Sequence, residues 1–332
     1  MGSVSVGEDV YVSRDDYLEI LGFTIYVYLT GRIEKYSGIM RGKRALGEFI
    51  ENFIYGKIAE VAFREFLRNK CGLEVLTDID VADFIFGEYL PDIIAIKRNN
   101  DYETANFWIE VKEVRRDQRW LLVPASAIRA RPYDAYVAVW VGLPDEHLAW
   151  IIRNVPEAEA KMSEDWRKWL AEVENAVTNI PCKIIGYVTW NDVKLVKRAE
   201  QGDRSTEKEL NGKYGSKGWH YFRGSEKLFD PDDRSWSGTE VRENIGFVLR
   251  RMWKVADWNE LYQLILQNSR LVEEQIGTKG KLPQICKHLT DRDYRENSFK
   301  CLNHQLSLIR EKKGTIKRTK SWFEYPLFQG LK

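Results

Sequence analysis

Two carboxylates and an ammonium interrupt a pair of apolar segments in the first half of the chain. Asp92 opens the first segment, "DIIAIK", and Glu110 and Lys112 lie within the second, "NFWIEVKEV". Because side chains alternate along an extended strand, Glu110 and Lys112 project to the same side, with Trp108, while Ile109, Val111 and Glu113 face the other. Carboxylates that converge in a partly buried place repel each other, and a divalent cation relieves that repulsion. Oxygen ligands suit Mg²⁺ or Mn²⁺ better than zinc.

A lysine beside such a metal suits the hydrolysis of a phosphate ester. Lys112 could orient or help deprotonate a water molecule, and could neutralise charge on a phosphate during an in-line displacement. Glu60, in the upstream segment "GKIAEVAFREFL", would add a third carboxylate if that segment is a helix against the strands. Its apolar neighbours place it near the core-facing stripe, which is an unusual position for a charge.

The segments around these residues predict an α/β unit with a mixed sheet. The polar "RNNDYETA" between the two apolar segments predicts a hairpin, so these strands should be antiparallel neighbours. The segment "WLLVPASAIRARP" predicts a crossover that is helical after Pro124. Predicted helices span 14–30 and 41–69, and predicted strands span 92–97, 106–114 and 133–143.

The order Glu60, then Pro91-Asp92, then Glu110-Val111-Lys112 resembles the PD-(D/E)xK nuclease superfamily, which includes many type II restriction endonucleases. The resemblance covers about residues 45–145 and includes the helix, strand, strand, helix, strand order of that fold. It implies a restriction-endonuclease-like core with a mixed central sheet flanked by helices, within residues 1–150.

The same resemblance implies roles for individual residues. Asp92 and Glu110 would be metal ligands, with the Val111 carbonyl as a third contributor and Glu60 as an accessory ligand, direct or through water. Lys112 would act on the attacking water. The implied reaction is Mg²⁺-dependent hydrolysis of DNA phosphodiesters that leaves 5′-phosphate ends, with Mn²⁺ as a substitute metal.

A purely structural interpretation of these motifs stays open. An "ExK" on a strand can be a surface ion pair, and "PD" is a common turn dipeptide. The apolar neighbours of Glu110 favour burial of the strand and therefore the functional interpretation. Lys97 and Glu113, although they lie in the same strands, have no assigned part in the chemistry.

Residues 151–332 predict a mostly helical region for DNA recognition and dimerisation. A helix is expected over 157–177 and a strand over 182–190. Residues 200–238 are rich in Gly, Ser, charges and aromatics without a clear period, which predicts a loop insertion. Helices are expected over 239–253, 257–277 and 299–314, with N-cap signals at Thr239 and Asp257.

Several basic and amide side chains are candidates for contact with DNA phosphates or base edges. They occur in "RRDQRW", which follows the catalytic strand, and in the insertion; a solvated surface is the alternative for both groups. The candidates are Arg115, Arg116, Gln118, Arg119, Lys213, Lys217 and Arg223. A Cys/His pattern formed by Cys286, His288, Cys301 and His304 could bind zinc. Buried cysteines within helices explain that pattern more simply.

The composition is typical of a globular protein, with 44% hydrophobic and 30% charged residues. The chain has no apolar run of about 18 residues that could span a bilayer and no signal peptide, so a cytoplasmic protein without a membrane partner is expected. Cutting both strands of duplex DNA with one site per chain favours a homodimer. The predicted function is that of a sequence-specific type II restriction enzyme. A structure-specific or repair nuclease and a non-catalytic DNA-binding protein on a nuclease fold are the alternatives.

Overall fold

The structure, a computed structural model, describes residues 6–29, 46–81, 91–98, 101–115, 118–125, 133–148, 163–224, 226–229, 236–241, 243–268, 270–271 and 321. The helices are α1 Arg14–Leu29, α2 Leu46–Cys71, α3 Asp78–Val81, α4 Glu164–Thr178, α5 Trp190–Glu200, α6 Arg204–Tyr214, α7 Leu249–Val255 and α8 Trp258–Gln267. The strands are β1 Glu8–Ser13, β2 Val75–Leu76, β3 Ala95–Arg98, β4 Asp101–Thr104, β5 Ile109–Val114, β6 Trp120–Pro124, β7 Ala135–Val141, β8 Asn179–Thr189, β9 Trp219–Phe222, β10 Glu226–Phe229, β11 Trp236–Val241, β12 Asn244–Val248 and β13 Arg270–Leu271.

The central sheet has the strand order β1, β8, β7, β5. β5 and β7 are parallel, whereas β8 is antiparallel to both β7 and β1. Every residue of β7 is buried, as expected for a strand that is covered on both faces. The mixed sheet predicted from the sequence is therefore confirmed.

Helices cover both faces of this sheet. On one face α2 packs across β1, β5, β7 and β8, and α1 and α8 pack against α2. Ile54, Ile58 and Val61 of α2 recur at helical spacing and join Ile109 and Val111 of β5 in one core cluster. The opposite face is covered by α5 and α7, which contact β8.

The alternation predicted along β5 is confirmed. Trp108 and Val114 belong to the core cluster on the α7 side, while Ile109 and Val111 belong to the cluster on the α2 side. Glu110 and Lys112 therefore lie on the α7 side of the strand.

The predicted hairpin between residues 92–97 and 106–114 was wrong. The connecting residues form β4, which pairs with β3, and these strands belong to a second, antiparallel sheet in the order β13, β4, β3, β2. β5 instead pairs with β7, with Ile109 opposite Ala135 and Val114 opposite Trp140. A local turn signal identified a hairpin, but assigned it to the wrong pair of strands.

A third sheet occupies the segment that was expected to be a crossover and a loop insertion. Trp120–Pro124 forms β6 and pairs with β12, which also pairs with β9. The predicted helix after Pro124 falls largely on residues 126–132, which lie outside the described residues. Within 200–238 the described residues form α6, β9, β10 and the start of β11, so the expectation of a loop-rich insertion was wrong.

The described part of residues 151–332 contains the helices α4 to α8, and it also contains the strands β8 to β13, of which only β8 was expected. Thr239 lies in β11, and residues 244–248 form β12, because this apolar run pairs with β6 and β9. The helix predicted after Asp257 is confirmed: the Asp257 side chain caps α8 by accepting from the backbone N–H groups of Asn259 and Glu260. The predicted helix over 299–314 lies outside the described residues.

β8 belongs to the region from residue 151 onward, yet it lies between β1 and β7 in the central sheet. The two-part division at residue 150 stays a prediction. β8, from the second part, is built into the sheet of the first part. Among the residues that the structure describes, no helix combines the length and the apolar character needed to cross a membrane.

Candidate functional site

Asp92 lies at the outer edge of β5. This strand ends the central sheet, and on the side away from β7 the Asp92 backbone N–H donates to the Ile109 carbonyl at 3.1 Å. The Val111 N–H donates to Asp92 Oδ2 at 2.5 Å. Because the N–H and C=O of one strand residue point to the same side, the Val111 carbonyl also faces Asp92. Asp92 and Val111, which the sequence pattern grouped together, are thus brought together.

Glu110 and Lys112 form an ion pair next to this edge. Lys112 Nζ donates to Glu110 Oε1, and the two side chains are 35% and 20% exposed for Lys112 and Glu110 respectively. Burial alone would lower the pKa of Lys112, but Glu110 and then Asp92 raise it above its usual range. The lysine is therefore an ammonium at neutral pH.

The Asp92 carboxyl has a strongly perturbed pKa. Burial and the nearby Glu110 raise its pKa to about 8, and Lys57, the Val111 N–H and Lys112 offset only part of that effect. A carboxylate pair with this repulsion is compensated either by a proton or by a cation. Binding of a divalent cation would displace the proton.

Glu60 is buried in α2 and is held by a lysine. Lys57 Nζ donates to Glu60 Oε1 at 2.7 Å and to Oε2 at 2.8 Å. The same ammonium donates to Asp78 Oδ2 at 2.7 Å. Burial raises the pKa of Glu60 well above its usual range; Lys57 opposes this, and Asp92 and Asp78 add to it. We call Lys57, Glu60 and Asp78 the buried triad.

Reasoning from the sequence missed Lys57 and Asp78. Lys57 lies three residues before Glu60 in "GKIAE", so the i, i+3 spacing on a helix could have indicated their ion pair. Asp78 had no comparable signal, because the contact between α2 and α3 exists only in the folded chain. The charge of Asp92 affects both Lys57 and Glu60, which links the triad to the edge of β5.

The oxygen donors at Asp92, Glu110 and Val111 fit a Mg²⁺ ion that has few protein ligands and several bound waters. Within the described ranges there is no group of three or more His, Cys, Asp or Glu side chains placed to hold a metal ion. A cation near Asp92 and Glu110 would therefore rely on two carboxylates, the Val111 carbonyl and water molecules. Mg²⁺ is commonly bound in this way, because it keeps several of its waters.

The first group of predicted DNA contacts lies at the end of β5 and is already engaged within the chain. The Arg115 guanidinium donates to Asn52 at 2.7 Å and lies 3.5 Å from Glu113. Gln118 Oε1 accepts from the Arg115 backbone N–H. Arg119 is exposed, and Arg116 lies outside the described residues. A cavity of about 190 Å³, lined in part by Lys112, Gln118 and Trp120, joins this group to the candidate site.

The second group lies around α5. Lys213 pairs with the buried Asp192 at 2.7 Å, and Arg223 pairs with Glu200 at 2.6 Å. Lys217 is exposed between α6 and β9. Lys213 and Arg223 are therefore paired within the chain, and contact of this group with DNA stays a prediction.

The Cys286, His288, Cys301 and His304 pattern lies outside the described residues, so zinc binding there stays an untested prediction. Comparisons of the chain with protein-family models, with curated proteins and with solved structures found no match. A functional assignment therefore rests on the residues themselves and on their geometry.

Proposed function

We propose that this protein is a Mg²⁺-dependent endonuclease of the PD-(D/E)xK type that hydrolyses phosphodiester bonds of double-stranded DNA and leaves 5′-phosphate ends. The observation that carries the proposal is the position of Asp92 at the outer edge of β5. Its carboxylate accepts a hydrogen bond there from the N–H of Val111, the residue between Glu110 and Lys112. A solvated surface ion pair would not require a second, half-buried carboxylate beside it.

Each residue has a role that follows from its position. Asp92, Glu110 and the Val111 carbonyl would hold the metal. Lys112, kept as an ammonium by Glu110, would orient the attacking water and neutralise charge on a phosphate oxygen. Glu60, as an accessory ligand, stays a prediction. When bound, Mg²⁺ would supply Lewis-acid stabilisation of the phosphate charge, and Mn²⁺ would substitute for it.

The proposed role is that of a type II restriction enzyme acting as a homodimer. One site per chain cuts one strand, so two symmetry-related chains would cut both strands of a palindromic sequence. A nuclease specific for DNA structure and a non-catalytic DNA-binding protein are the competing functions.

One digestion distinguishes these functions. Purified protein is incubated with a plasmid of known sequence and with a branched duplex, in Mg²⁺ and in chelator. We expect discrete plasmid fragments in Mg²⁺ only. Cutting confined to the branched duplex would favour a structure-specific nuclease. Failure to cut either DNA in Mg²⁺ would favour the non-catalytic alternative.

Variants with a matched control test the catalytic roles. Lys112→Ala should reduce the cleavage rate by about 10²-fold or more, and Asp92→Asn and Glu110→Gln should abolish metal-dependent cleavage. Lys97→Ala is the control, because the Lys97 side chain is 34% exposed and pairs with Glu74, much as Lys112 is 35% exposed and pairs with Glu110. Wild-type cleavage by a folded Lys112→Ala protein would refute the assignment.

A further inference from the structure

Within the buried triad, the two carboxylates satisfy all the hydrogen-bond donors of the Lys57 ammonium. A lysine ammonium has three N–H donors, and Lys57 Nζ has three carboxylate oxygens at 2.7, 2.8 and 2.7 Å. The side chains of Lys57, Glu60 and Asp78 are only 9%, 8% and 10% exposed. Water therefore contributes little, and the ammonium is fixed in one position by carboxylates from two helices.

The triad holds more acceptor oxygens than Lys57 can satisfy. Asp78 Oδ1 is buried and has no hydrogen-bond partner among the described residues. Both oxygens of Glu60 accept from the same Lys57 ammonium. A buried carboxylate oxygen without a donor is costly, and a metal ion or an ammonium is the kind of group that would stabilise it.

The triad and the edge of β5 form one electrostatic unit. Asp92 raises the pKa of both Lys57 and Glu60, although burial is the larger influence on each group and lowers the pKa of Lys57. The unit contains the carboxylates Glu60, Asp78, Asp92 and Glu110 and the ammoniums Lys57 and Lys112. With all four carboxylates ionised, four negative and two positive charges leave a formal charge of −2, which one divalent cation would neutralise.

We propose that the Lys57 ammonium takes the place of a second divalent cation, so that each chain binds a single metal ion at Asp92 and Glu110. This proposal rests on the proposed function, because it presupposes a metal at that pair. Glu60 is then a positioning residue in place of the accessory ligand that the resemblance implies. Both of its oxygens accept from Lys57, and it adds negative charge near Asp92 without ligating the metal.

The number of bound Mn²⁺ ions tests the proposal without reference to cleavage. Metal-free full-length protein is titrated with Mn²⁺, and free Mn²⁺ is followed by electron paramagnetic resonance. We expect one Mn²⁺ per wild-type chain and none in Asp92→Asn. Two Mn²⁺ ions per wild-type chain would overturn the inference. A wild-type chain that binds none would overturn the proposed function and, with it, the inference.

Replacement of the ammonium should create the second metal site. Lys57→Met removes the charge at nearly constant side-chain length, and we expect this variant to bind two Mn²⁺ ions. Adding Glu60→Gln to Lys57→Met should return the number to one. Lys97→Met is the matched control and should still bind one. A folded Lys57→Met protein that binds a single Mn²⁺ would contradict the proposal.

Glu60→Gln alone keeps the proposal falsifiable if Lys57→Met does not fold. The amide oxygen can still accept from Lys57, so this variant should fold and should still bind one Mn²⁺. Complete loss of Mn²⁺ binding by a folded Glu60→Gln protein would make Glu60 a metal ligand and would overturn its assignment as a positioning residue.

Discussion

Asp92→Asn should stabilise the metal-free protein while it removes the metal site. The Asn side chain keeps an oxygen that can accept from the Val111 N–H, but it carries no charge beside Glu110. In the wild-type protein, burial and Glu110 raise the pKa of Asp92 from 3.8 to about 8. Ionisation of Asp92 in the folded chain is therefore unfavourable, and the neutral amide avoids that cost.

The size and pH dependence of the effect follow from this shift. Between about pH 4 and pH 8 the folded chain keeps a proton on Asp92 that the unfolded chain loses, so wild-type stability falls as the pH rises through this window. The full shift would correspond to about 6 kcal/mol. Because Asp92 and Glu110 are partly exposed and water screens their repulsion, we expect about 3 kcal/mol.

Urea unfolding of metal-free protein at pH 5, 7 and 9 measures this difference. The free energy of unfolding of Asp92→Asn should exceed that of wild type by an amount that grows by about 3 kcal/mol from pH 5 to pH 9. Asp165→Asn, in the exposed first turn of α4, is the control and should show no such growth. Added Mg²⁺ should stabilise wild type and not Asp92→Asn. A difference that stays constant with pH would refute the electrostatic reasoning.

Three further predictions concern stability. Burial lowers the pKa of His147 to about 4, so the free energy of unfolding should fall by about 3 kcal/mol as the pH drops from 6.5 to 4. Urea unfolding of His147→Gln should show a smaller decrease over the same pH range. Gly246→Ala should lower the free energy of unfolding by about 1–3 kcal/mol, because its Cβ would lie 2.6 Å from a ring carbon of Phe222. Gly212→Ala should stabilise α6, because no atom lies within 4 Å of the added Cβ. Calorimetry of the two variants compares these effects. Asp257→Ala should cost about 1 kcal/mol by removing the cap of α8, and equal unfolding midpoints for the variant and wild type would contradict this.

Some secondary structure was predictable because its signals are local. The alternation in "IEVKEV" identified β5 and the faces of its side chains, and Asp257 marked the start of α8. α6 was missed because its buried positions form a narrow stripe of Thr206, Leu210 and Tyr214 among polar residues and Gly212. A period of four can be found in that segment, but its composition is that of a loop.

Strand partners were not predictable in the same way. β4 was taken for a turn, and β5 was assigned to β3 instead of to β7, which begins more than twenty residues later. The choice of partner depends on which pairing buries more apolar surface over the whole sheet. The distance along the chain has only a small effect on the free energy of closing the loop, so it does not identify the partner.

The sequence by itself determined the chemical groups of the candidate site. Asp92, Glu110 and Lys112 were identified as charged residues within apolar segments. The common face of Glu110 and Lys112 follows from the alternation of side chains along one strand, which is a local property of the backbone. The tertiary structure decided what surrounds them. It placed Asp92 on the edge of β5, and it brought Asp78 of α3 against the Lys57–Glu60 pair of α2, a contact that no sequence spacing predicts. Burial and charge act over a few ångströms in space, and only the folded chain defines those distances.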